Sequence, residues 1–193
     1  MHRFSVSAET VRALARARKT TPFAVLLAAT QLVVQRLTGE AAPCVGTVAA
    51  GRDRPETHGL IGYFVNTLPL RDTVEPRASF GAVVDRAART AQRAFDHQAL
   101  PFDTLVQSLP VPRDERGQAL FRVMLVLNPS VAPALELPGL TARGAELPTG
   151  AAKFDLVLSF SEAGEALHGH LEFDSRFHPH GIATVVIFEH FTG

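Results

Sequence analysis

The sequence has few of the residues on which several classes of protein depend. It contains one cysteine, Cys44, and no tryptophan. A single cysteine excludes an internal disulfide and a cysteine-based zinc site, and it is compatible with a reducing compartment. Residues 1–10 are polar and lack the apolar segment of a secretory signal. We therefore expect a cytoplasmic protein.

An excess of charge of either sign is also missing. Lys and Arg together number 19, as do Asp and Glu, so the formal net charge is zero. Nucleic-acid-binding proteins usually carry a basic excess or a basic stripe. The most apolar stretch, residues 23–34, is shorter than the roughly 20 residues that span a bilayer. We predict neither a nucleic-acid partner nor a membrane segment.

The overall composition is typical of a soluble globular protein. Apolar residues make up 46% of the 193 residues and charged residues 20%, which predicts one domain over residues 1–193. Alternation, helical spacing and capping residues predict an α/β or α+β two-layer sandwich with a mixed sheet. The predicted strands are 2–7, 43–50, 61–70, 120–127, 140–147 and a hairpin of 154–160 with 167–173, and the predicted helices are 8–18, 22–37, 80–95, 101–109 and 179–191.

No motif for a self-contained active site is present. Cys44 lies in a predicted strand without a local signature, which favours a small buried hydrophobe over a nucleophile. Neither Gly-x-Ser-x-Gly nor a glycine-rich phosphate loop occurs. The carboxylates are scattered, without a pair at a spacing typical of acid–base catalysis.

The chain has eight histidines, which raises the question of a metal site. His168 and His170 share one face of a predicted strand, and His178 and His180 repeat the spacing. Such pairs can share a metal, but a site needs a third ligand and supporting partners, so we expect a solvated strand face and no metal. His97, at a break between two predicted helices, is expected to make structural hydrogen bonds.

Seven segments together carry a family resemblance. The most specific is Ile-Gly-Tyr-Phe-Val-Asn-Thr at 61–67, within the segment 60–71. The other six are 21–23, 45–52, 97–106, 120–128, 153–156 and 171–174. In this order, they resemble the C-terminal half of the condensation domain of nonribosomal peptide synthetases. The resemblance covers essentially the whole chain. Arg122 departs from it, since the family usually has Gln there.

The resemblance implies a fold and an activity. The family fold is two chloramphenicol-acetyltransferase-like lobes, between which donor and acceptor enter on the phosphopantetheine arms of carrier proteins and are joined by an amide bond. The family signature, His-His-x-x-x-Asp-Gly, belongs to the N-terminal lobe and does not occur in this sequence. The resemblance therefore implies no catalytic residue and no bound cofactor in this lobe, which should be inactive alone.

Four residues match positions that the resemblance places near the active site. Arg52 resembles the arginine that pairs with the signature aspartate, although a plain loop arginine, such as Arg54, is the alternative. Asn66 and Thr67 either line the substrate tunnel or satisfy backbone groups. Asn128 is expected to face the tunnel.

The hairpin 153–174 resembles the segment that crosses to the other lobe, which would leave its edge unpaired and prone to association. The chain resembles one lobe cut at its seam, as an excised fragment or a natural stand-alone lobe, so its predicted partners are the N-terminal lobe, two carrier proteins or a second copy.

Two further functions stay open at the level of the sequence. One is a non-catalytic module that contacts a carrier protein or a partner lobe. The other is the lobe of a related acyltransferase that uses coenzyme A or a polyketide carrier, because fold alone does not choose the chemistry.

Overall fold

The computed structural model describes residues 2–75, 77–110, 120–128, 136–137, 140–141 and 153–174. Its helices are α1 (Ala8–Ala17), α2 (Pro22–Thr38), α3 (Phe80–Asp96) and α4 (Phe102–Ser108), with a 3-10 turn at Pro55–Thr57. Its strands are β1 (His2–Ser7), β2 (Cys44–Ala49), β3 (Asn66–Arg71), β4 (Val123–Asn128), β5 (Glu136–Leu137), β6 (Leu140–Thr141), β7 (Leu156–Ala163) and β8 (Ala166–Phe173).

Six strands form one mixed sheet in the order β1-β8-β7-β4-β2-β3, and β5 pairs with β6 separately. The central strands β2, β4 and β7 run parallel, whereas β1–β8, β7–β8 and β2–β3 are antiparallel pairs. The predicted mixed sheet is confirmed. The carboxyl ends of β2, β4 and β7 consequently meet at one end of the sheet.

Local signals start and stop the helices where the sequence predicts. The Ser7 hydroxyl accepts a hydrogen bond from Thr10 N at 3.1 Å, and the Thr21 hydroxyl accepts one from Ala24 N at 3.3 Å. Each cap satisfies one of the backbone donors that a helix start leaves unpaired. Gly39 ends α2 with a φ of +72°, a left-handed conformation that favours glycine.

The core lies between one face of the sheet and helices α1, α2 and α3. Alternate strand residues point into it, and Val45, Leu70, Leu125 and Leu158 are fully buried. The middle of α2 contributes buried residues on most of its sides, as expected of a central helix. This packing is the two-layer arrangement predicted from the sequence.

On the opposite face of the sheet, aromatic rings cover the region around Gly46. A Cβ built at Gly46 would lie 2.2 Å from the ring of Phe121, so the ring rests directly on the backbone of β2. Phe121 contacts Phe102 and Phe154, with ring centroids 5.7 and 5.4 Å apart. These contacts attach α4 and the start of the hairpin to this face.

Two sequence predictions are wrong. The strand expected over 61–70 begins only at Asn66, because its partner β2 ends at Ala49, which pairs with Asn66. The hairpin has no unpaired edge, since β7 pairs with β4 and β8 pairs with β1. The hairpin is thus part of the sheet of this chain.

Some predicted elements lie outside the described residues. These are the helix 179–191 and most of the strand 140–147. In the parts of the chain that the structure describes, no helix combines the length and the apolar character needed to cross a membrane.

We expect Gly169→Ala to destabilise the sheet. A Cβ there would lie 2.4 Å from the ring of Phe4, which packs edge-on against Phe160 in the core. Overpacking of this kind costs about 1–3 kcal/mol, measured as the free energy of unfolding in urea. The control is Gly59→Ala, where no heavy atom lies within 4 Å of the new methyl. Equal stability of the two variants would contradict the prediction.

Candidate functional site

A loop of residues 51–65 leaves the carboxyl end of β2 and returns to the start of β3. Gly51 allows the two ends of the loop to meet: its φ is +63°, and a Cβ there would lie 1.9 Å from the carbonyl oxygen of Phe64. Only glycine permits this conformation and this approach together. Residues 61–65 lie outside the strand β3, and Ile61, Tyr63 and Val65 are exposed.

Arg52 is held inside this loop, half-buried. Its Nη1 donates a hydrogen bond to the Thr57 carbonyl, and its guanidinium lies 4.5 Å from the centroid of the Phe64 ring. The Arg52 carbonyl in turn accepts a hydrogen bond from Nε2 of His58 at 2.9 Å. Arg54, by contrast, is exposed. Arg52 is therefore a positioned cation, unlike its neighbour.

The guanidinium of Arg52 keeps capacity for a further partner. A guanidinium has five N–H donors, and the bond to Thr57 uses one of them. Within the described ranges, no carboxylate forms an ion pair with Arg52. The predicted pairing with an aspartate of another lobe is compatible with this geometry and stays a prediction.

The outer side of the loop presents apolar side chains to solvent. Ile61 is fully exposed and Tyr63 is 89% exposed, while Leu60 and Val65 are exposed to 54% and 40%. We call these four residues the apolar loop patch. Exposed apolar side chains that lie together on a protein surface commonly mark an interaction site.

Asn66 is a clamp between β3 and the link that joins α3 to α4. Its Nδ2 donates to the carbonyls of Gln98 and Leu100 at 2.8 and 2.7 Å, and its Oδ1 accepts from Phe102 N at 3.1 Å. Both amide hydrogens and the amide oxygen are thus engaged. Of the two roles predicted for Asn66, satisfying backbone groups is what the contacts show, and tunnel lining stays a prediction.

Thr67 and Asn128 lie at the same end of the sheet as Asn66 and Arg52. Thr67 follows Asn66 and pairs with Val48 near the end of β2. Asn128 is the exposed last residue of β4, which runs parallel to β2. The fold therefore brings all four predicted residues to one end of the sheet, although they are up to 76 positions apart in the sequence (52 to 128).

Cys44 lies at the opposite end of β2. Burial raises the pKa of its thiol to about 12, against a smaller lowering effect of Arg71. A thiol with so high a pKa holds very little thiolate at neutral pH, and the thiolate is the nucleophile. The interpretation of Cys44 as a structural residue is supported.

His168 and His97 make hydrogen bonds within the fold. His168 and Ser5 share a hydrogen bond of 3.0 Å between neighbouring strands, and Nδ1 of His97 donates to the Arg93 carbonyl at 2.8 Å. The structural role predicted for His97 is confirmed. In the described part of the chain, no group of three or more His, Cys, Asp or Glu side chains could hold a metal. His178 and His180 lie outside the described residues.

Sequence reasoning did not anticipate the partners of these residues. Phe64 and Thr57, which hold Arg52, were not singled out, and neither was the role of Asn66 as a clamp. The partners of Asn66, at 98, 100 and 102, lie more than 30 positions away and leave no local pattern.

Comparison with known proteins decides the family. The sequence model of the family described as condensation domain matches residues 3–192. The chain belongs to the condensation domain family. It is 39% identical over 165 residues to phosphinothricin tripeptide synthetase PhsB of Streptomyces viridochromogenes, and 36% identical over 165 residues to malpinin synthetase of Mortierella alpina. These matches cover 84% and 86% of this chain, and they span 14% and 2% of those two proteins.

Solved condensation domains share the fold of this chain. The first condensation domain of the calcium-dependent antibiotic synthetase, in complex with a substrate analogue, matches with a TM-score of 0.79 at 19% identity. The starter condensation domain of rhizomide synthetase RzmA matches with a TM-score of 0.75 at 24% identity. Each match covers 98% of this chain and 44% of the other. The predicted chloramphenicol-acetyltransferase-like fold is thereby confirmed.

We expect Asn66→Asp to destabilise this condensation-domain chain by about 1–3 kcal/mol. The carboxylate removes both amide donors and places an acceptor oxygen against the carbonyls of Gln98 and Leu100. The free energy of unfolding in urea at pH 7 measures the loss. Asn128→Asp makes the same chemical change at an exposed strand end and should stay within about 0.5 kcal/mol of the parent. If the two variants are equally stable, the clamp does not contribute as described.

Proposed function

We propose that the chain is the C-terminal half of a condensation domain that joins a carrier-bound donor and a carrier-bound acceptor. The supporting observation is coverage: the chain aligns over 98% of its length with solved condensation domains but with only 44% of theirs. In the reaction, the acceptor amine attacks the donor thioester carbonyl. The C–N bond forms, the C–S bond breaks, and the amine proton passes to the departing phosphopantetheine thiolate.

His-His-x-x-x-Asp-Gly does not occur in this sequence, and we propose that a second half supplies it. A positioned histidine that accepts or donates a proton typically contributes about 10²–10⁴ in rate. We therefore propose that this half is inactive or nearly so by itself. Its contribution is the wall of the tunnel at the end of the sheet where Arg52, Asn66, Thr67 and Asn128 lie.

Arg52 is proposed to pair with the aspartate of the signature across the interface. Its guanidinium is already positioned by Thr57 and Phe64, so little conformational entropy is lost when the partner arrives. An arginine that is half-buried before pairing would be shielded further once a second lobe covers it. A charge pair in such a place contributes more than one in solvent.

The test of the proposed function is reconstitution. The chain and a separately produced N-terminal half that carries the signature are mixed with donor and acceptor aminoacyl carrier proteins, and the dipeptidyl carrier protein is followed by mass spectrometry. We expect product from the mixture and none from either half. Coenzyme A thioesters in place of the donor carrier distinguish the acyltransferase alternative. Absence of product with a correctly folded mixture would contradict the proposed function.

Within the same assay, Arg52→Ala should lower the rate at least about 10-fold, because loss of one member of a buried charge pair costs several kcal/mol. Arg54→Ala, an exposed arginine two positions away, is the matched control and should leave the rate unchanged. Unfolding midpoints of both variants must match the parent, so that a disturbed loop is not mistaken for a lost pair. Equal rates for the two variants would show that Arg52 has no pairing role.

The apolar loop patch is proposed to lie in the interface with the second half. A charge placed there would have to be desolvated when the halves meet, which is costly. We expect Ile61→Asp to weaken association with the N-terminal half by more than about 10-fold, measured by calorimetric titration. Leu109→Asp, at an exposed leucine outside the patch, is the control. Equal affinity of both variants for the N-terminal half would place the interface elsewhere. In the reconstitution assay, association of the two halves without amide formation would favour the interaction-module alternative.

A further inference from the structure

A cavity of about 320 Å³ opens at the end of the sheet where β2 and β4 finish. The start of α2 and the second half of α3 form its other walls. In α/β folds, ligands bind in crevices beyond the carboxyl ends of parallel strands, and this volume is at the lower end of the range for small-molecule sites. The lining residues are Thr20, Thr21, Phe23, Ala24, Thr47, Val48, Ala88, Ala91, Gln92, Phe95 and Leu127.

The walls of this cavity are neutral and mainly apolar. Among the described residues that line it, none carries a charge. Phe23 and Phe95 meet edge to face with their centroids 6.0 Å apart, and Ala24, Ala88 and Ala91 keep the space between the helices open. A charged group that entered would find no counterion among the lining side chains, and its desolvation would oppose binding.

Three of the four polar side chains among the described lining residues are already engaged with the protein, namely Thr21, Thr47 and Gln92. The Thr47 hydroxyl donates to the Leu125 carbonyl at 2.8 Å, and the Thr21 hydroxyl caps α2. Gln92 donates from Nε2 to Asp96 at 2.8 Å. Because these groups have partners, the cavity offers a ligand mainly apolar contact and few hydrogen bonds.

A second cavity of about 200 Å³ lies beside the first along the same end of the sheet, and Leu127 lines both. The second cavity has a different character, since its lining includes the ion pair of Arg12 and Glu162. Leu127 thus separates a neutral compartment from a charged one. Leu127 is therefore the wall of the neutral cavity on the side of the Arg12–Glu162 ion pair.

We infer that the neutral cavity binds the apolar acyl chain of a carrier-bound substrate. This inference rests on the proposed function, because it is the thioester substrate that would present such a group at this end of the sheet. The size and the neutral lining of the cavity favour uncharged acyl chains of several carbons over anionic acyl chains. Each buried CH₂ corresponds to roughly a fourfold gain in affinity.

The test measures binding of N-acetylcysteamine thioesters, which imitate the end of the phosphopantetheine arm, to the 193-residue chain by NMR titration. Affinity should rise from the acetyl to the butanoyl to the hexanoyl thioester. The succinyl thioester, with a terminal carboxylate, should bind at least 10-fold more weakly than the butanoyl thioester. No dependence on chain length, or equal binding of the succinyl compound, would overturn the inference.

Ala88→Leu should fill the cavity, since Ala88 is half-buried and lines it. We expect at least a 10-fold loss of hexanoyl affinity with little change for acetyl. Ala82→Leu, at an exposed position of the same helix, is the control and should bind as the parent does. Of the two cavities, Val48 lines only the neutral one, so Val48→Ala enlarges it and should shift the preference towards the octanoyl thioester. Unchanged hexanoyl affinity in Ala88→Leu, with no shift in Val48→Ala, would show that the chains bind elsewhere.

Failure of this inference and failure of the proposed function have different signatures. Binding that does not depend on chain length, together with successful reconstitution, overturns only the cavity as an acyl site. Chain-length-dependent binding that Ala88→Leu abolishes, together with failed reconstitution, overturns only the condensation proposal and leaves the cavity as an apolar acyl site.

Discussion

The clamp formed by Asn66 is the interaction on which the candidate site depends. Asn66 begins the edge strand β3, and its amide group holds the link between α3 and α4 by three hydrogen bonds. Since β3 pairs with β2 on its inner side, the clamp also fixes where the loop 51–65 must return. Arg52 and the apolar loop patch both lie on that loop.

The loop 51–65 combines a glycine in a left-handed conformation with exposed apolar side chains. Gly51 turns the chain so that Phe64 lies beneath Arg52, which leaves Ile61 and Tyr63 in solvent. Exposing large apolar side chains has a cost in free energy that a partner surface would remove. A positioned cation beside an exposed apolar segment combines electrostatic specificity with apolar area, as protein interfaces commonly do.

The end of the sheet carries more than the four residues singled out by sequence. Parallel β2, β4 and β7 finish there, helices α2 and α3 leave a neutral cavity beside them, and the ion pair of Arg12 with Glu162 borders the next cavity. Satisfied polar groups in the neutral cavity, such as Thr47, keep its character apolar. In the proposed function, the polar residues Arg52, Thr67 and Asn128 face the reacting groups, and the neutral cavity takes up the apolar chain.

The sequence by itself determined the local structure and the family of this chain. Capping by Ser7 and Thr21, the glycine after α2 and the alternation of the hairpin strands are effects of neighbouring residues, so they can be read along the chain. Tertiary structure alone decided the order of the strands, the pairing of both hairpin edges and the early end of the predicted strand 61–70. It also decided the partners of Asn66 and the cavity, because residues 32 to 107 positions apart meet only after the sheet and helices pack.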